Sequence, residues 1–121
     1  MPKLQGLNVL VVDDSEITRI MLVNLLEQEG AITTTAETGE VALNCVKEIQ
    51  FDVILMDLYM PVCDGIEATK RIRALGISCP IIAVTSATES ELKTLTEVGF
   101  NFVSYKPVEL EKVIKIITMF V

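Results

Sequence analysis

The sequence predicts an α/β domain in which helices cover both faces of a parallel β-sheet. Three observations support this prediction: five short, mostly apolar strand-like runs, a helical pattern after each run, and polar residues where four of the runs end. Strands that alternate with helices form parallel sheets, because each crossover returns the chain to the same edge. The 121 residues, half of them apolar, suit one domain, and we expect residues 1–121 to form a single unit.

The first two strand–helix units are predicted from the spacing of their apolar residues. Residues 7–12 are a continuous apolar run, which is typical of a strand buried on both faces. Ser15 is suited to cap a helix that continues to about Glu29. The second unit comprises a threonine-rich strand at 32–36 and a helix at 39–49.

The other three units follow the same pattern. We expect strands at 52–56, 80–84 and 102–105, followed respectively by helices at 65–75, 89–98 and 108–120. Pro61 and Gly65 punctuate the loop before the third helix, and Gly99 closes the fourth helix. Periodicity alone does not set the order of the strands in the sheet.

Charge and composition exclude several classes of function. The formal net charge is −7, so phosphate backbones and anionic lipids would repel the domain, and we expect no direct contact with nucleic acid. The sequence shows no apolar run long enough to span a membrane and no signal peptide. The three cysteines form no C-x-x-C pair and histidine is absent, which argues against a disulfide framework or a zinc site and favours the reducing cytoplasm.

Polar side chains collect where the predicted strands end. Asp13 and Asp14 follow the first strand, Asp57 the third, Thr85 the fourth and Lys106 the fifth. Ligands of open α/β sheets bind beyond the carboxyl ends of the strands, so these residues should converge. Carboxylates at ~4 Å repel one another by about 4 kcal/mol per pair, which favours a bound cation. Hard oxygen donors suit Mg²⁺, and such an ion together with Lys106 could hold a phosphoryl group against a carboxylate nucleophile.

Each of these residues alone has a simpler structural explanation. Asp14 could stabilise the N-terminus of the helix that follows it, and Asp57 could serve as a turn residue. The complete set at strand ends, with the polarity that a metal and phosphate site needs, is much harder to produce by accident.

The chain resembles the receiver domains of response regulators and of hybrid histidine kinases over nearly its whole length. The resemblance rests on VLVVDDSE (9–16), DVILMDLYMPVCDG (52–65), PIIAVTSA (80–87) and YKP (105–107). It implies a doubly wound, flavodoxin-like (βα)5 fold whose five strands have the order 2-1-3-4-5. The implied function is that of a phosphoacceptor in a two-component system or phosphorelay, which catalyses its own phosphorylation and dephosphorylation.

The same resemblance implies a role for each site residue. Asp57 would be the phosphoacceptor, Lys106 would pair with Asp57 or its phosphate, and Thr85 would be the switch hydroxyl. The implied ligands of Mg²⁺, or of Mn²⁺ in its place, are Asp14 directly, Asp13 through water, Asp57, and the backbone carbonyl of Tyr59. The bond between Lys106 and Pro107 is expected to be cis.

One position departs from the family pattern. The family places Tyr or Phe three residues before the lysine, where this chain has Val103. Phe102 and Tyr105 flank Val103, and we expect both to lie on the opposite face of the strand. Phosphorylation should survive this change, whereas the usual coupling between Thr85 and an aromatic ring is in doubt.

The implied phosphoryl donor is a phosphohistidine of a histidine kinase or a histidine phosphotransfer protein, and a downstream protein partner is also implied. We expect the donor protein to dock on Ser15, Ile17, Thr18, Met21, Pro107 and Val108. Ile17 and Met21 lie one helical turn apart, although they could equally be core residues. We expect no output domain after Val121, and the output is then expected to run through protein contacts. Both a free-standing regulator and a part of a hybrid histidine kinase fit this expectation.

Three alternative functions share some of these features. A flavodoxin-like cofactor-binding protein needs a Ser/Thr/Gly-rich phosphate loop where this chain has Asp13 and Asp14. A phosphatase of the haloacid dehalogenase type needs a second aspartate where this chain has Tyr59. A pseudo-receiver that only binds proteins is opposed by the complete set of site residues, but Val103 keeps it open.

Overall fold

The structure, a computed structural model, describes residues 2–60, 64–86, 91–106 and 109–121. Strands and helices alternate regularly along these residues. Their bounds are β1 Asn8–Val12, α1 Glu16–Gln28, β2 Ile32–Ala36, α2 Gly39–Glu48, β3 Val53–Asp57, α3 Gly65–Ala74, β4 Ile81–Thr85, α4 Leu92–Val98, β5 Phe102–Tyr105 and α5 Leu110–Phe120. None of the helices in these four ranges is both long enough and apolar enough to cross a membrane.

The five strands form one parallel sheet in the order β2-β1-β3-β4-β5, which confirms the expected topology. Val12 pairs with Met56, and Asp57 pairs with Val84, so β1, β3 and β4 end at nearly the same level. Since all strands point the same way, their carboxyl ends lie along one edge of the sheet. The candidate functional residues are brought together at this edge.

Apolar side chains fill both sides of the sheet. On β1, Leu10 and Val12 pack into the core beneath α2, α3 and α4, whereas Val9 and Val11 pack into the core beneath α1 and α5. Every residue of β3 and β4 is buried. These strands therefore appear in the sequence as continuous apolar runs rather than as alternating patterns.

Two strands end one residue later than the sequence suggested. Asp57 pairs with Val84 and Thr85 pairs with Tyr105, so both polar residues belong to the sheet instead of to the loops that follow. Their backbones are fixed by the ladder, which makes them rigid supports for a site. The expected starts of the helices at residues 89 and 108 fall outside the described residues.

Arg73, near the end of α3, joins the loops that lead into β4 and β5. Its guanidinium donates hydrogen bonds of 2.8 to 3.1 Å to the backbone carbonyls of Ile77, Cys79 and Gly99 and to the Asn101 side chain. The same Asn101 oxygen accepts the N–H of Ile81 at 2.9 Å, so the network reaches β4 itself. Burial lowers the pKa of the Arg73 guanidinium, and the surrounding oxygens compensate for its desolvation.

We expect Arg73→Met to destabilise the protein by about 3 kcal/mol, because partly buried carbonyl oxygens would lose a charged donor. Urea unfolding in EDTA would measure this effect. Arg71→Met is the matched control, since Arg71 is exposed and makes one ion pair with Glu67 at 3.0 Å. That control should change stability by less than about 0.5 kcal/mol. Equal stabilities of the two variants would contradict the structural role of Arg73.

Candidate functional site

Three carboxylates meet where β1 and β3 end. One carboxylate oxygen each from Asp13, Asp14 and Asp57 lies within 4.8 Å of the other two. Asp13 and Asp57 are 1% and 3% exposed, whereas Asp14 is open to solvent. A set of hard oxygen donors that is buried on one side and open on the other fits Mg²⁺, which retains several of its waters.

Lys106 supplies a positive charge to this cluster. Its Nζ lies 3.4 Å from Asp13 Oδ2 and 3.4 Å from Asp57 Oδ1. Burial and the neighbouring Asp13 carboxylate raise the pKa of Asp57, while the Lys106 ammonium and the N–H of Tyr59 oppose that rise. The net pKa is still raised, so one lysine does not fully offset the desolvation and the repulsion. A further cation would be stabilised here.

Asp13 is held through all of its polar groups. Its N–H donates to the carbonyl of Ala36 at 3.1 Å, and its own carbonyl accepts Nη1 of Arg19 at 2.8 Å. Its Oδ1 accepts the N–H of Ser15 at 2.9 Å, and its Oδ2 faces Lys106. Asp13 is thus rigidly held in the buried part of the cluster, while Asp14 is the more accessible of the two carboxylates.

Thr85 and Lys106 reach the same edge from β4 and β5. Thr85 is completely buried at the last position of β4. Its backbone carbonyl accepts the N–H of Lys106 at 2.7 Å, which fastens the end of β5 beside the end of β4. The structure therefore brings five residues that the sequence singled out to one edge of the sheet.

Tyr59 follows Asp57 by two residues and connects the end of β3 to the start of α4. It is 55% exposed, and its hydroxyl donates to Glu91 Oε2 at 3.4 Å, directly before α4. Its N–H lies 3.5 Å from Asp57 Oδ1, which keeps this loop close to the carboxylate of Asp57. The role of the Tyr59 carbonyl as a metal ligand stays a prediction.

The expectation for the residues around Val103 is wrong for Tyr105. Residues two apart on a strand point to the same face, so Tyr105 shares the face of Val103. Phe102, Val103 and Tyr105 all line one groove of about 560 Å³ beside α4. Alternation places Phe102 on the opposite face, and its ring packs edge to face on Phe120 of α5 with 6.1 Å between ring centroids. An aromatic ring is therefore present on the face of Val103, two residues from the usual position.

The side chains expected to face a donor protein have mixed exposure. Ile17 is 72% and Met21 is 44% exposed, so the alternative that they are core residues is wrong. Ser15 and Thr18 are half-buried, and the Ser15 hydroxyl accepts the N–H of Thr18 at 3.3 Å as the cap of α1. Pro107 and Val108 lie outside the described residues. The expected cis bond between Lys106 and Pro107 therefore also falls outside them.

Three charged residues near the cluster were not anticipated from the sequence. They are Arg19, Glu37 and Glu91. Only Arg19 carried a recognisable signal, because it is the single basic residue of α1 and lies five positions after Asp14. Glu37 and Glu91 come close to the site through the packing of loops that no local pattern describes.

Comparison of the chain with known proteins identifies its family. The family profile of the response regulator receiver domain matches residues 9–118. The chain belongs to this receiver domain family. The two-component response regulator ORR41 of Oryza sativa is 37% identical over an alignment 119 residues long, which covers 94% of this chain and 94% of that protein. The chemotaxis protein CheY of Halobacterium salinarum is 38% identical, across 91% of this receiver domain and 92% of that protein.

Receiver domains also occur inside larger proteins. The sensor histidine kinase RcsC of Escherichia coli is 37% identical over 93% of this chain, but the match covers only 12% of RcsC. Among solved structures, CheY4 of Vibrio cholerae has a TM-score of 0.91 at 33% identity, covering 96% of this chain and 99% of CheY4. The receiver domain of PA1611 from Pseudomonas aeruginosa has a TM-score of 0.87 at 30% identity, covering 95% and 97%, and holds a coordinated magnesium ion in its active site cleft.

Proposed function

We propose that this receiver domain accepts a phosphoryl group from phosphohistidine onto Asp57 in a Mg²⁺-dependent reaction and signals by a conformational change. One observation carries the proposal: three carboxylates meet within 4.8 Å, and Lys106 lies 3.4 Å from two of them. Excess negative charge beside a single lysine suits a divalent cation and a phosphoryl dianion, and it disfavours a neutral ligand.

The chain supplies the nucleophile and the residues that hold the phosphoryl group. A carboxylate oxygen of Asp57 attacks phosphorus, the P–N bond breaks, and its electron pair leaves with the imidazole of the donor. Asp13, Asp14, Asp57 and the Tyr59 carbonyl would hold Mg²⁺, or Mn²⁺ in its place. When bound, this ion neutralises charge on the phosphoryl oxygens.

Lys106 and Thr85 complete the proposed site. Lys106 already lies beside Asp57 and would remain paired with the phosphate after transfer. The hydroxyl of Thr85, at the same edge of the sheet, would donate to a phosphoryl oxygen. Both residues sit on paired backbone, so they can bind the new charge with little rearrangement.

The donor is a histidine kinase or a histidine phosphotransfer protein, which we place on the face of Ser15, Ile17, Thr18, Met21, Pro107 and Val108. The exposure of Ile17 and Met21 supports this placement, because apolar side chains left in water at a helix surface suit a partner. A downstream protein partner reads the conformational change. We further propose that residues 1–121 act as one unit in the cytoplasm, whether alone or within a hybrid kinase.

The proposal is tested with acetyl phosphate as a small phosphoryl donor and intact mass as the readout. We expect one added phosphoryl group on the unmodified protein in Mg²⁺, and none in EDTA or on Asp57→Asn. An adduct on Asp57→Asn would assign the acceptor elsewhere. If the protein binds Mg²⁺ but neither acetyl phosphate nor histidine kinases phosphorylate it, the pseudo-receiver function replaces this one.

Tyr59 is expected to shield the phosphorylated acceptor from water. Its backbone N–H lies 3.5 Å from Asp57 Oδ1 and its bulky ring is exposed beside the carboxylate cluster. Tyr59→Ala should therefore speed dephosphorylation several-fold, and about fivefold corresponds to roughly 1 kcal/mol of barrier. The decay of the phosphorylated protein after removal of the donor measures this rate. Tyr59→Phe keeps the ring and should decay at nearly the original rate. An unchanged rate in Tyr59→Ala would refute shielding.

A further inference from the structure

Arg19 occupies an unusual position for a charged residue. Its side chain is only 13% exposed, although it lies on α1 near the surface of the domain. Its Nη1 donates to the backbone carbonyl of Asp13 at 2.8 Å, and its Nη2 lies 3.7 Å from Glu37 Oε1. A guanidinium that has given up most of its water for one backbone carbonyl restrains that carbonyl strongly.

The carbonyl of Asp13 belongs to the peptide plane that continues into Asp14. Because the peptide bond is planar, a hydrogen bond to this oxygen also restrains the N and Cα atoms of Asp14, the point from which its side chain leaves the backbone. The side chain of Asp14 makes no hydrogen bond or ion pair with any residue that the structure describes. The orientation of Asp14 therefore depends on its backbone, and Arg19 restrains that backbone.

We propose that Arg19 is a positioning residue of the metal site, which holds the peptide plane between Asp13 and Asp14 so that the Asp14 carboxylate faces Asp57. This inference rests on the proposed function, since it assumes that the three carboxylates bind Mg²⁺. The inference adds a requirement beyond the three carboxylates. Asp14 is correctly oriented only when the guanidinium of Arg19 binds the carbonyl of Asp13, just after β1.

Arg19 has two opposite effects on a bound cation. Its positive charge repels Mg²⁺, and Glu37 offsets that charge only weakly because its side chain is 74% exposed. Its hydrogen bond orders the ligand, which favours binding. We expect ordering to prevail, because partners that orient metal ligands typically contribute about 10- to 100-fold to metal affinity. The two effects predict opposite changes when Arg19 is removed, so a binding measurement separates them.

The test is a calorimetric titration of the whole chain with Mg²⁺. We expect Arg19→Met to weaken Mg²⁺ binding by about tenfold. Arg19→Lys, which keeps the charge but not the forked guanidinium, should weaken it by a smaller factor. Arg71→Met makes the same chemical change at an exposed ion pair on α3 and should leave the affinity unaltered. Unchanged or tighter binding by Arg19→Met would overturn the inference.

Two further measurements separate positioning from a general loss of stability. Urea unfolding in EDTA shows whether each variant is folded, and if Arg19→Met is not, Arg19→Lys decides the question by its affinity. In the metal-free protein, the NMR signal of the Asp14 amide should shift in Arg19→Met and not in Arg71→Met. Failure of the unmodified protein to bind Mg²⁺ would overturn the proposed function as well, whereas normal binding in every variant would overturn only the role of Arg19.

Discussion

Replacing Asp57 with asparagine should make the metal-free protein more stable while it abolishes phosphorylation. Asp57 is 3% exposed, and its carboxylate lies near that of Asp13; burial and this neighbouring charge both raise the pKa of Asp57. The variant removes one of three mutually repelling charges, and Lys106 keeps its other partner, Asp13, at 3.4 Å. We expect a gain on the order of 1 kcal/mol from the removal of this charge. In a domain of this size, that gain is a rise in Tm of about 3–6 °C.

The pH dependence of this gain has a definite sign. Asp57 binds its proton more tightly in the folded protein than in the unfolded chain, where its pKa is near 3.8. The contribution of Asp57 to stability therefore falls as pH rises from about the unfolded pKa through the higher folded pKa. Asparagine has no such proton, so the advantage of Asp57→Asn should grow across this window and stay constant above it. Urea unfolding in EDTA at a series of pH values measures the difference.

Added Mg²⁺ should reverse the comparison between the two proteins. A ligand that binds only the folded state stabilises it in proportion to the logarithm of its concentration over Kd, so the unmodified protein should gain more than the variant. Glu40→Gln on α2 is the control, because it removes one exposed carboxylate without touching the site. Asp64→Asn would not serve, because the Asp64 side chain caps α3. If Asp57→Asn is less stable than the unmodified protein in EDTA at neutral pH, the prediction that the charge of Asp57 destabilises the metal-free protein is contradicted.

Replacing Gly65 with alanine should disturb both the fold and the acceptor. A Cβ atom at Gly65 would overlap the backbone carbonyl oxygen of Asp57, and it would lie 2.9 Å from the carbonyl carbon of Asp57 and 3.0 Å from Cα of Leu58. These neighbours are backbone atoms and cannot move aside as a flexible side chain can. The N–H of Gly65 also donates to the carbonyl of Leu58 at 3.0 Å, so α3 begins directly against the acceptor loop.

We expect Gly65→Ala to lower the free energy of unfolding by about 3 kcal/mol, as overpacking in a tightly fitted region does. Phosphorylation of the folded fraction by acetyl phosphate should also slow, because Asp57 must shift to relieve the overlap. Gly76→Ala is the control: Gly76 has a φ of +86° but no atom within 4 Å of an added Cβ. Its expected cost is about 1 kcal/mol, from the left-handed backbone alone, with a normal phosphorylation rate. Equal costs for the two variants would show that α3 can move away from β3.

The sequence alone determined the fold class and the polar residues that meet at the candidate site. Apolar runs that end in polar residues describe strands buried on both faces, and such strands form a parallel sheet whose ends meet at one edge. A local pattern was enough to single out five polar residues, because each stands at a strand end: Asp13, Asp14, Asp57, Thr85 and Lys106. The exposure of Ile17 and Met21 could not be decided locally, because an amphipathic pattern does not say how much of a helix its neighbours cover.

Only the tertiary structure decided which residues support the site from a distance. The hydrogen bond from Arg19 to Asp13 and the contact of Gly65 with the backbone of Asp57 each join separate elements. Their geometry depends on the angles at which helices pack on the sheet and on the paths of the loops. Those features arise from long-range packing, which local periodicity does not encode. The polar residues at the strand ends could therefore be predicted from the sequence, whereas the residues that contact them from other elements could not.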